Sequence, residues 1–449
     1  MNDILTPAAA EALETMLLRC VECSASYAGI EAGWKPRYRC DCGGVLDVEI
    51  QLPSDAAALR QLFAQRAATS ITWPLKAGTM LHDYSGVWRY RELILPIPEQ
   101  LIISRPEGNT SLYPVGIENC GAGRVGQQKI GHYAGIEQLF LKHEGENPTG
   151  SFKDRGMTVG ITMASLLGAQ AVACASTGNT SASLASYAAQ AGMQAIVFLP
   201  AGNVAAGKLA QSLAYGATTI QVEGDFDAAM RLVEQVCDEL GIYLLNSLNP
   251  YRVEGQKSTG FEILQQLNWQ VPDWLVLPAG NLGNTSAIGK AFRQAYQLSL
   301  ISRMPRFASI QAAGANPFYR SFQQRFTTRA QVQAHTVATA IKIGNPVSYT
   351  RARRVIEESN GLVEEVTDEE ILAAKTIIDR SGLGCEPASA ATLAGIRKLV
   401  GRGVIKRGEL VVGVLTGNLL KDSQTGIPQH GDGVAVVANI EAVRKILQQ

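Results

Sequence analysis

The sequence lacks net charge, and it also lacks long apolar runs. Lysine and arginine together number 40 among 449 residues, and aspartate and glutamate also number 40, so the formal net charge is zero. This balance argues against nucleic acid, or an anionic membrane, as a partner held by bulk charge. No apolar run approaches the ~20 residues that a membrane helix needs, and we expect no membrane association.

The beginning of the chain also lacks the features of a secretory signal. It has no basic start followed by a long apolar stretch, and it carries Asp3, Glu11 and Glu14 where such a signal would be apolar. We therefore expect a soluble, cytoplasmic protein. The neutral balance does not argue against a small anionic substrate, because a local pocket can be charged in a neutral protein.

Histidine and cysteine are scarce, with five and eight residues respectively. The histidines show no metal-binding spacing such as HExxH. In a reducing compartment, so low a density of cysteine is typical of free, buried or metal-bound thiols rather than of disulfides.

Four of the cysteines form two pairs near the N-terminus. Cys20 and Cys23 have CxxC spacing, whereas Cys40 and Cys42, after sixteen intervening residues, have the tighter CxC spacing. Two pairs that flank a segment of hairpin length predict a zinc ribbon. The alternative is a ribbon-like remnant with free thiols.

Regular secondary structure is predicted from about residue 136 onward. Short β-branched runs alternate there with Ala-rich stretches of helical length, and this alternation indicates parallel sheets covered by helices. The predicted strands are Gln138–Lys142, Ala171–Ser176, Ala195–Pro200, Thr218–Val222, Tyr243–Asn246, Trp274–Pro278, Phe307–Gln311 and Leu410–Leu415. The predicted helices include Thr180–Ala191, Ala205–Tyr215, Asp227–Leu240, Asp368–Asp379 and Pro387–Val400. Ligands of such sheets bind beyond the carboxyl ends of the strands, near helix N-termini.

The sharpest motif, NPTGSFKDRG at residues 147–156, lies at such a junction. Lys153 is at the start of the following helix, where the positive end of the helix macrodipole disfavours a cation. Together with burial, this placement would lower the pKa of the amine and free it for Schiff-base chemistry. An isolated lysine is more often a solvated residue of a helix first turn. The neighbouring motifs favour the reactive lysine here.

Two further junctions have the composition of anion seats. In STGNTSAS, residues 176–183, small hydroxyl and amide side chains lie beside exposed backbone N–H groups, although an ordinary N-cap box would look the same. In PAGNLGN, residues 278–284, two glycines let the backbone wrap an anion at a helix start, although a plain turn is the alternative.

Three other motifs are weaker when taken alone. Thr416, in LTGNLLKD, places a hydroxyl at a strand end, where it can meet a ring nitrogen or simply serve a turn. Arg252, in NSLNPYR, can bind phosphate through its planar fork, whereas a lone arginine is usually a surface ion pair. The segment Gly121–Gly126 matches GxGxxG, but no hydrophobic strand precedes it and no apolar helix follows it, so we expect a loop.

Taken together, these motifs resemble those of the pyridoxal phosphate (PLP)-dependent enzymes of fold type II, and within them the threonine synthase family. The matching stretch runs from Glu107 to Asp422. The resemblance implies an α/β fold with two parallel-type open sheets, helices on both faces of the sheets, and a small N-terminal cysteine-containing segment. It implies a segment 1–75, a small domain 146–244, and a large domain formed by 76–145 and 245–449. It also implies a homodimer.

The resemblance assigns roles residue by residue. Lys153 matches the Schiff-base lysine, Asn179 the contact to the PLP ring hydroxyl, and Thr416 the partner of the pyridine nitrogen. A neutral hydroxyl at Thr416 would leave that nitrogen largely unprotonated. The cofactor-phosphate loop matches Gly280, Asn281, Leu282, Gly283 and Asn284. The substrate contacts match Asn246, Ser247 and Arg252 for the phosphate, and Ser176, Thr177 and Thr180 in the loop that closes on the substrate.

Two positions depart from the family pattern. Asn418-Leu419 stands where the family often has His-Gly, and Ser111 stands where the wider fold prefers proline. Both departures leave the cofactor chemistry intact, and they concern only which substrate the enzyme uses.

The implied reaction is the lyase conversion of O-phospho-L-homoserine and water to L-threonine and phosphate. Cysteate synthase, which takes O-phospho-L-serine and sulfite, is the first alternative. A serine/threonine dehydratase is another, and Arg252 in a phosphate-like setting argues against it. A related binding or regulatory protein without catalysis is disfavoured because Lys153, Asn179 and Thr416 are intact.

Overall fold

The computed structural model describes residues 15–29, 36–69, 81–176, 178–201, 206–224, 226–422, 425 and 437–447. Its strands are β1 (Leu17–Cys20), β2 (Ser26–Ala28), β3 (Leu46–Glu49), β4 (Leu112–Pro114), β5 (Gln138–His143), β6 (Ala171–Ala175), β7 (Gln194–Pro200), β8 (Thr218–Val222), β9 (Tyr243–Leu244), β10 (Trp274–Pro278), β11 (Arg306–Ala312), β12 (Leu362–Val366) and β13 (Leu410–Leu415).

The described α-helices are α1 (Ala56–Ala67), α2 (Arg91–Ile94), α3 (Val125–Ala134), α4 (Lys153–Leu166), α5 (Asn179–Ala191), α6 (Ala206–Ala214), α7 (Phe226–Leu240), α8 (Pro250–Gln266), α9 (Gly283–Gln297), α10 (Pro317–Gln323), α11 (Tyr349–Glu358), α12 (Asp368–Arg380), α13 (Pro387–Gly401) and α14 (Ile440–Leu447). Short 3₁₀ helices lie at Leu81–Tyr84, Trp88–Tyr90, Glu99–Leu101, Glu144–Glu146, Thr339–Ile341 and Leu419–Asp422. Within the described ranges, no helix is both long and apolar enough to cross a membrane.

The larger sheet has six strands in the order β12-β11-β10-β13-β5-β4. The pairs from β12 to β5 are parallel, and the edge strand β4 is antiparallel, with Leu112 opposite Lys142. The central strands β10 and β13 are buried along their whole length. Such continuous apolar strands are expected where helices cover both faces of a parallel sheet.

A second sheet has four parallel strands in the order β8-β7-β6-β9. Its strands all come from residues 171–244, and helices α5 and α7 pack on β6 and β7. The parallel strands of each sheet bring their carboxyl ends to a common edge, and the helices that follow them begin there.

The N-terminal ribbon is a third sheet, antiparallel, with the order β2-β1-β3. It is fixed to three helices of the main body. Tyr251 Oη in α8 donates to the carbonyl oxygen of Gly29 at 2.6 Å, and Lys290 Nζ in α9 donates to that of Val48 at 2.6 Å. Arg351 Nε in α11 lies 2.6 Å from Asp47 Oδ1.

Local sequence signals explain two of the helix starts. Helix α8 begins with Pro250, and the preceding Asn249 accepts a hydrogen bond from the backbone N–H of Tyr251 at 3.0 Å. Helix α12 begins with a capping box, in which Thr367 and Glu370 each accept from the other's backbone N–H.

The structure corrects three details of the sequence-based prediction. Strand β9 is shorter than the predicted Tyr243–Asn246, because the Asn246 side chain turns onto the backbone of β6. Strand β12 is not predicted, because its centre carries Glu364 and Glu365. Glu364 is nevertheless buried, next to Arg402. The loop expected through Gly126 ends early, since α3 begins at Val125.

Candidate active site

Lys153 is the first residue of α4, and the backbone before it is tied to the end of β13. The N–H of Phe152 donates to the carbonyl oxygen of Thr416 at 3.0 Å, and Ser151 forms a β-bridge with Gly417. Two motifs that lie far apart in sequence are thus held together by backbone hydrogen bonds.

The environment of Lys153 favours the neutral amine. Burial, followed by the positive charge of Arg252, lowers the pKa of Lys153 to about 7, and Glu386 opposes them. An ordinary lysine has a pKa of about 10.4. A large share of the amine is therefore unprotonated near neutral pH, which a nucleophile requires.

Glu386 links two of the predicted cofactor contacts. Asn179 Nδ2, at the start of α5, donates to Glu386 Oε2 at 2.9 Å, and Thr416 Oγ1 lies 3.0 Å from Glu386 Oε1. Glu386 and Thr416 are buried. The structure therefore brings Lys153, Asn179 and Thr416 to one place, with a carboxyl group between the last two.

Sequence reasoning missed Glu386. The residue directly precedes Pro387 at the start of α13. A glutamate at this position is typical of a helix N-terminus, where its negative charge interacts favourably with the helix macrodipole. Its side chain makes no cap hydrogen bond, and it lies next to Gly417, where an added Cβ would come within 2.5 Å of Glu386 Cδ. A lone carboxyl group before an Ala-rich, apolar helix was the available signal.

The turn 280–284 has the geometry of a phosphate loop. Leu282 adopts a left-handed conformation with φ of 64°, and α9 begins at the next residue without a side-chain cap. A Cβ at Gly280 would come within 2.7 Å of Ile341 Cα, so only glycine fits there. The first N–H groups of an uncapped helix are available to an anion.

Of the two asparagines in this loop, Asn281 has hydrogen-bond partners inside the protein. The Asn281 amide donates to Ser247 Oγ at 2.6 Å and accepts from the N–H of Val347 at 2.7 Å, which fixes the turn to the strand-end loop of Ser247. Asn284 is buried in the first turn of α9.

The start of α5 is a second helix N-terminus without a side-chain cap, with Gly178 before it. Ser176 Oγ accepts from the N–H of Gly178 at 3.2 Å, and Thr180 lies partly buried in the first turn. Thr177 falls outside the residues that the structure describes. Ser176 and Thr180 therefore flank Asn179 at this helix start.

Arg252 is almost completely buried, with 1% of its surface exposed. Its Nη1 donates to the carbonyl oxygen of Leu245 at 2.9 Å, whereas Nε and Nη2 have no hydrogen-bond partner among the described residues. Burial lowers the pKa of Arg252 to about 10. A buried cation with free N–H groups is costly unless an anion binds it.

Asn246 is less available to a ligand than its motif suggests. Its amide accepts from the N–H of Ala175 at 2.9 Å and donates to the carbonyl oxygen of Ala175 at 3.0 Å. The side chain therefore fixes the strand end that precedes Arg252.

A buried ionic network lies behind the lysine. Arg155 pairs with Glu144 at 2.6 Å and with Glu262 at 2.8 Å, and Lys142 pairs with Glu262 at 2.5 Å. Burial alone would raise the pKa of Glu262, but Arg155 and Lys142 outweigh it and hold this pKa well below its usual range. The network joins β5, α4 and α8, which carry or adjoin Lys153 and Arg252.

The groups around Lys153 and the turn at 280–284 fit PLP. The glycine turn at 280–284 suits a phosphate group, the lowered pKa of Lys153 suits an amine that attacks an aldehyde, and Asn179 and Thr416 offer polar contacts to a ring. The unpartnered nitrogens of Arg252 leave N–H donors that a second anion could accept from.

The four cysteines of the ribbon lie close together, with their Sγ atoms all within 4.8 Å of one another. Cys20 and Cys42 are 3.6 Å apart, and Cys23 and Cys40 are 3.4 Å apart. Tetrahedral zinc with Zn–S bonds of about 2.3 Å would place sulfurs roughly 3.8 Å apart. The structure thus brings together the four residues that the spacing singles out.

Comparison with known proteins agrees with this geometry. Residues 125–417 match the family described as pyridoxal-phosphate dependent enzyme. A threonine synthase of Methanosarcina acetivorans is 46% identical over 96% of this chain and 98% of its own length. A threonine synthase of Methanocaldococcus jannaschii is 42% identical over 97% of this chain and 100% of its own length.

The chain belongs to the threonine synthase family. The structure of threonine synthase from Escherichia coli superposes with a TM-score of 0.69, covering 96% of this chain and 99% of that one, at 16% identity. At that identity the superposition shows the fold alone. Together with the family match, it confirms the predicted fold type II architecture of PLP-dependent enzymes.

Proposed function

We propose that the chain converts O-phospho-L-homoserine and water into L-threonine and inorganic phosphate. The observation that carries this proposal is the buried guanidinium of Arg252, whose charge acts on Lys153 and whose Nε and Nη2 lack protein partners. An enzyme that binds PLP needs one phosphate seat for its cofactor, which the turn at 280–284 would supply. The buried cation of Arg252 would provide a second phosphate seat, and this favours a substrate that carries its own phosphate.

When bound, PLP supplies the electron sink that makes the Cα proton of an amino acid removable. The residues of this chain then supply position and proton transfer. We assign to Lys153 the linkage to the cofactor and, once its amine is released, the removal of the proton at Cα and then of a proton at Cβ. Phosphate leaves from Cγ towards Arg252, and a proton is delivered to Cγ to form the methyl group. The hydroxyl of water then adds at Cβ, a proton returns to Cα, and the remaining proton goes to the released phosphate.

The other residues have supporting roles in this proposal. Asn179 and Thr416 contact the ring, and the turn of Gly280, Asn281, Leu282, Gly283 and Asn284 holds the cofactor phosphate. The uncapped start of α5, with Ser176, Thr177 and Thr180, binds the substrate carboxylate. Asn246 and Ser247 position the loop that carries Arg252, since their side chains are hydrogen-bonded to Ala175 and Asn281.

The products formed from three sets of substrates distinguish this proposal from its alternatives. The purified enzyme, with PLP, is given O-phospho-L-homoserine alone, O-phospho-L-serine with sulfite, or unphosphorylated L-serine and L-threonine. Threonine and phosphate in equal amounts from the first substrate would support threonine synthase. Cysteate from the second would establish cysteate synthase instead, and ammonia release from the third would establish a dehydratase.

We also propose that the ribbon binds one zinc ion through Cys20, Cys23, Cys40 and Cys42. The separations of 3.6 and 3.4 Å between opposite sulfurs support it. Zinc would make the ribbon rigid, because a structural zinc site contributes folding energy directly. The ribbon would then brace helices α8, α9 and α11 through the contacts of Gly29, Val48 and Asp47.

The proposal also includes the domain division, the oligomeric state and the cellular compartment. We infer that residues 1–75, 146–244, and 76–145 with 245–449 act as separate domains, which is supported by the origin of the four-stranded sheet in residues 171–244. We infer a cytoplasmic homodimer on the family resemblance. Light scattering of the purified enzyme tests the dimer, and cell fractionation tests the compartment.

A further inference from the structure

Glu386 is a buried carboxyl group that the proposed reaction does not use. Only 3% of its surface is exposed, and its two oxygens face different partners. Asn179 Nδ2 lies 2.9 Å from Oε2, and Thr416 Oγ1 lies 3.0 Å from Oε1. Asn179 and Thr416 are the two residues that we assign to the cofactor ring, so Glu386 lies where it can influence both contacts.

Ser389 fixes one side of the Thr416 hydroxyl. Ser389 Oγ accepts from the backbone N–H of Thr416 at 2.8 Å and from that of Gly417 at 3.0 Å. A hydroxyl has two acceptor lone pairs and one proton, so both lone pairs of Ser389 are occupied. Its proton goes to Thr416 Oγ1 at 2.9 Å rather than to the carbonyl oxygen of Gly417, which is at the outer limit of 3.5 Å.

Thr416 then has one lone pair and one proton left for two neighbours, Glu386 and the ring. If Glu386 is a carboxylate, it can only accept, so Thr416 donates to it and presents a lone pair to the ring. If Glu386 is a carboxylic acid, it donates to Thr416, and the proton of Thr416 points to the ring. The protonation of Glu386 therefore decides whether the ring nitrogen meets a donor or an acceptor.

We propose that Glu386 is a positioning residue that, as a neutral carboxylic acid, orients the Thr416 hydroxyl to donate to the ring nitrogen of PLP and so keeps that nitrogen unprotonated. This inference rests on PLP as cofactor and not on the identity of the substrate. The Asn179 contact is consistent with it, because the carbonyl oxygen of an acid still accepts from an amide N–H.

Burial and the groups around Glu386 act on its pKa in opposite directions. Burial raises the pKa of Glu386, while the hydrogen bonds from Asn179 and Thr416, and then the charges of Lys421 and Lys153, oppose burial. The neighbouring Cys385 thiol is buried, and its own pKa lies well above its usual range, so it adds no charge.

The test follows the ring nitrogen directly, in the absence of substrate. The enzyme is loaded with PLP that carries ¹⁵N in the ring, and its NMR signal and the cofactor absorbance are recorded across pH. In the wild type, we expect an unprotonated ring nitrogen at neutral pH and a change in both signals as Glu386 ionises at higher pH. In Glu386→Gln the amide N–H donates to Thr416 permanently, so we expect the same neutral-pH signals without the change.

Thr416→Val provides a second, independent test, because it leaves Glu386 in place and removes the hydroxyl between it and the ring. The pH-dependent change should disappear in this variant as well. A protonated ring nitrogen in the wild type, or a pH dependence that persists in either variant, would overturn the proposal. Absence of a bound cofactor would overturn both this inference and the PLP assignment, whereas loss of threonine synthesis with an intact ring signal would affect only the proposed reaction.

Discussion

The backbone N–H of Phe152 donates to the carbonyl oxygen of Thr416 over 3.0 Å, which joins the loop of the reactive lysine to the end of β13. The two residues are far apart in sequence, yet this hydrogen bond and the β-bridge between Ser151 and Gly417 hold the helix of Lys153 next to the hydroxyl that we assign to the ring nitrogen. The arrangement supports a site that is pre-organised before any ligand binds.

Replacement of Arg252 by alanine should impair substrate use and leave the cofactor in place. The variant removes the buried cation of the proposed substrate-phosphate seat, so we expect a higher KM and a lower kcat with O-phospho-L-homoserine. The loss in kcat/KM should be on the order of 2–4 kcal/mol, or about 30- to 900-fold. Arg252→Lys should recover part of it, because the charge remains and the planar fork is lost.

Steady-state kinetics and a PLP titration of both Arg252 variants provide the measurement. Weakened PLP binding with normal substrate kinetics would place Arg252 at the cofactor. Unchanged kinetics would remove it from the site and favour the dehydratase alternative, since a dehydratase needs no second phosphate seat.

The rate at which the apoenzyme takes up PLP should depend on the protonation of Lys153. Only the neutral amine attacks, and the pKa of Lys153 is lowered to about 7, so the rate should rise with pH and level off above that value. Because the charge of Arg252 contributes to the lowering, Arg252→Ala should shift the profile to higher pH. Stopped-flow absorbance measures both profiles, and a midpoint near the ordinary lysine value of about 10.4 would contradict this account.

The buried network should make Glu262 important for stability. In Glu262→Gln, Lys142 and Arg155 lose a buried partner, and the free energy of unfolding should fall by about 3–5 kcal/mol. The folded pKa of Glu262 lies below its unfolded value, so its contribution is complete above the unfolded pKa and is lost as the pH falls through the folded one. The variant should therefore lose stability at neutral pH and lose part of the acid dependence of the wild type.

Denaturant unfolding across pH provides this measurement, with Glu357→Gln as its control. Glu357 pairs with Arg353 on the surface, where both side chains are more than 40% exposed, so its replacement should cost less than about 1 kcal/mol. Equal effects of the two substitutions would contradict the role of the network.

Metal analysis of freshly purified protein should find one zinc per chain. Replacing Cys20 and Cys23 by serine should release it, because two of the four proposed ligands are lost. Cys120→Ser is the matched control, since Cys120 is a buried thiol away from the cluster. Zinc that stays bound in the double variant would exclude this site, and protein that contains none would favour a ribbon with free thiols.

Much of the fold and site could be predicted because the relevant signals are local. Strands such as β10 and β13 are short, continuous apolar runs, and the Ala-rich stretches between the strands have helical length. Lys153, Asn179 and Thr416 each lie in a contiguous motif just after a strand. Parallel topology then places these junctions at one edge of each sheet.

The rest could not be predicted because it depends on tertiary contacts. Strand β12 carries two glutamates at its centre, and the burial of Glu364 relies on its pairing with Arg402. Glu386 precedes an unremarkable helix start, and its position between Asn179 and Thr416 appears only when α5, α13 and β13 come together. The hydrogen bonds between the Asn246 side chain and the backbone of Ala175 likewise join the loop after β9 to β6.

The most direct test of the central claim is Lys153→Ala, compared with Lys129→Ala, which changes an exposed lysine. Wild type and Lys129→Ala should show an imine absorbance at roughly 410–420 nm with PLP, and both should form threonine and phosphate from O-phospho-L-homoserine. Lys153→Ala should lose the absorbance and the product while its thermal unfolding stays close to that of the wild type. Wild-type activity in Lys153→Ala would contradict the account.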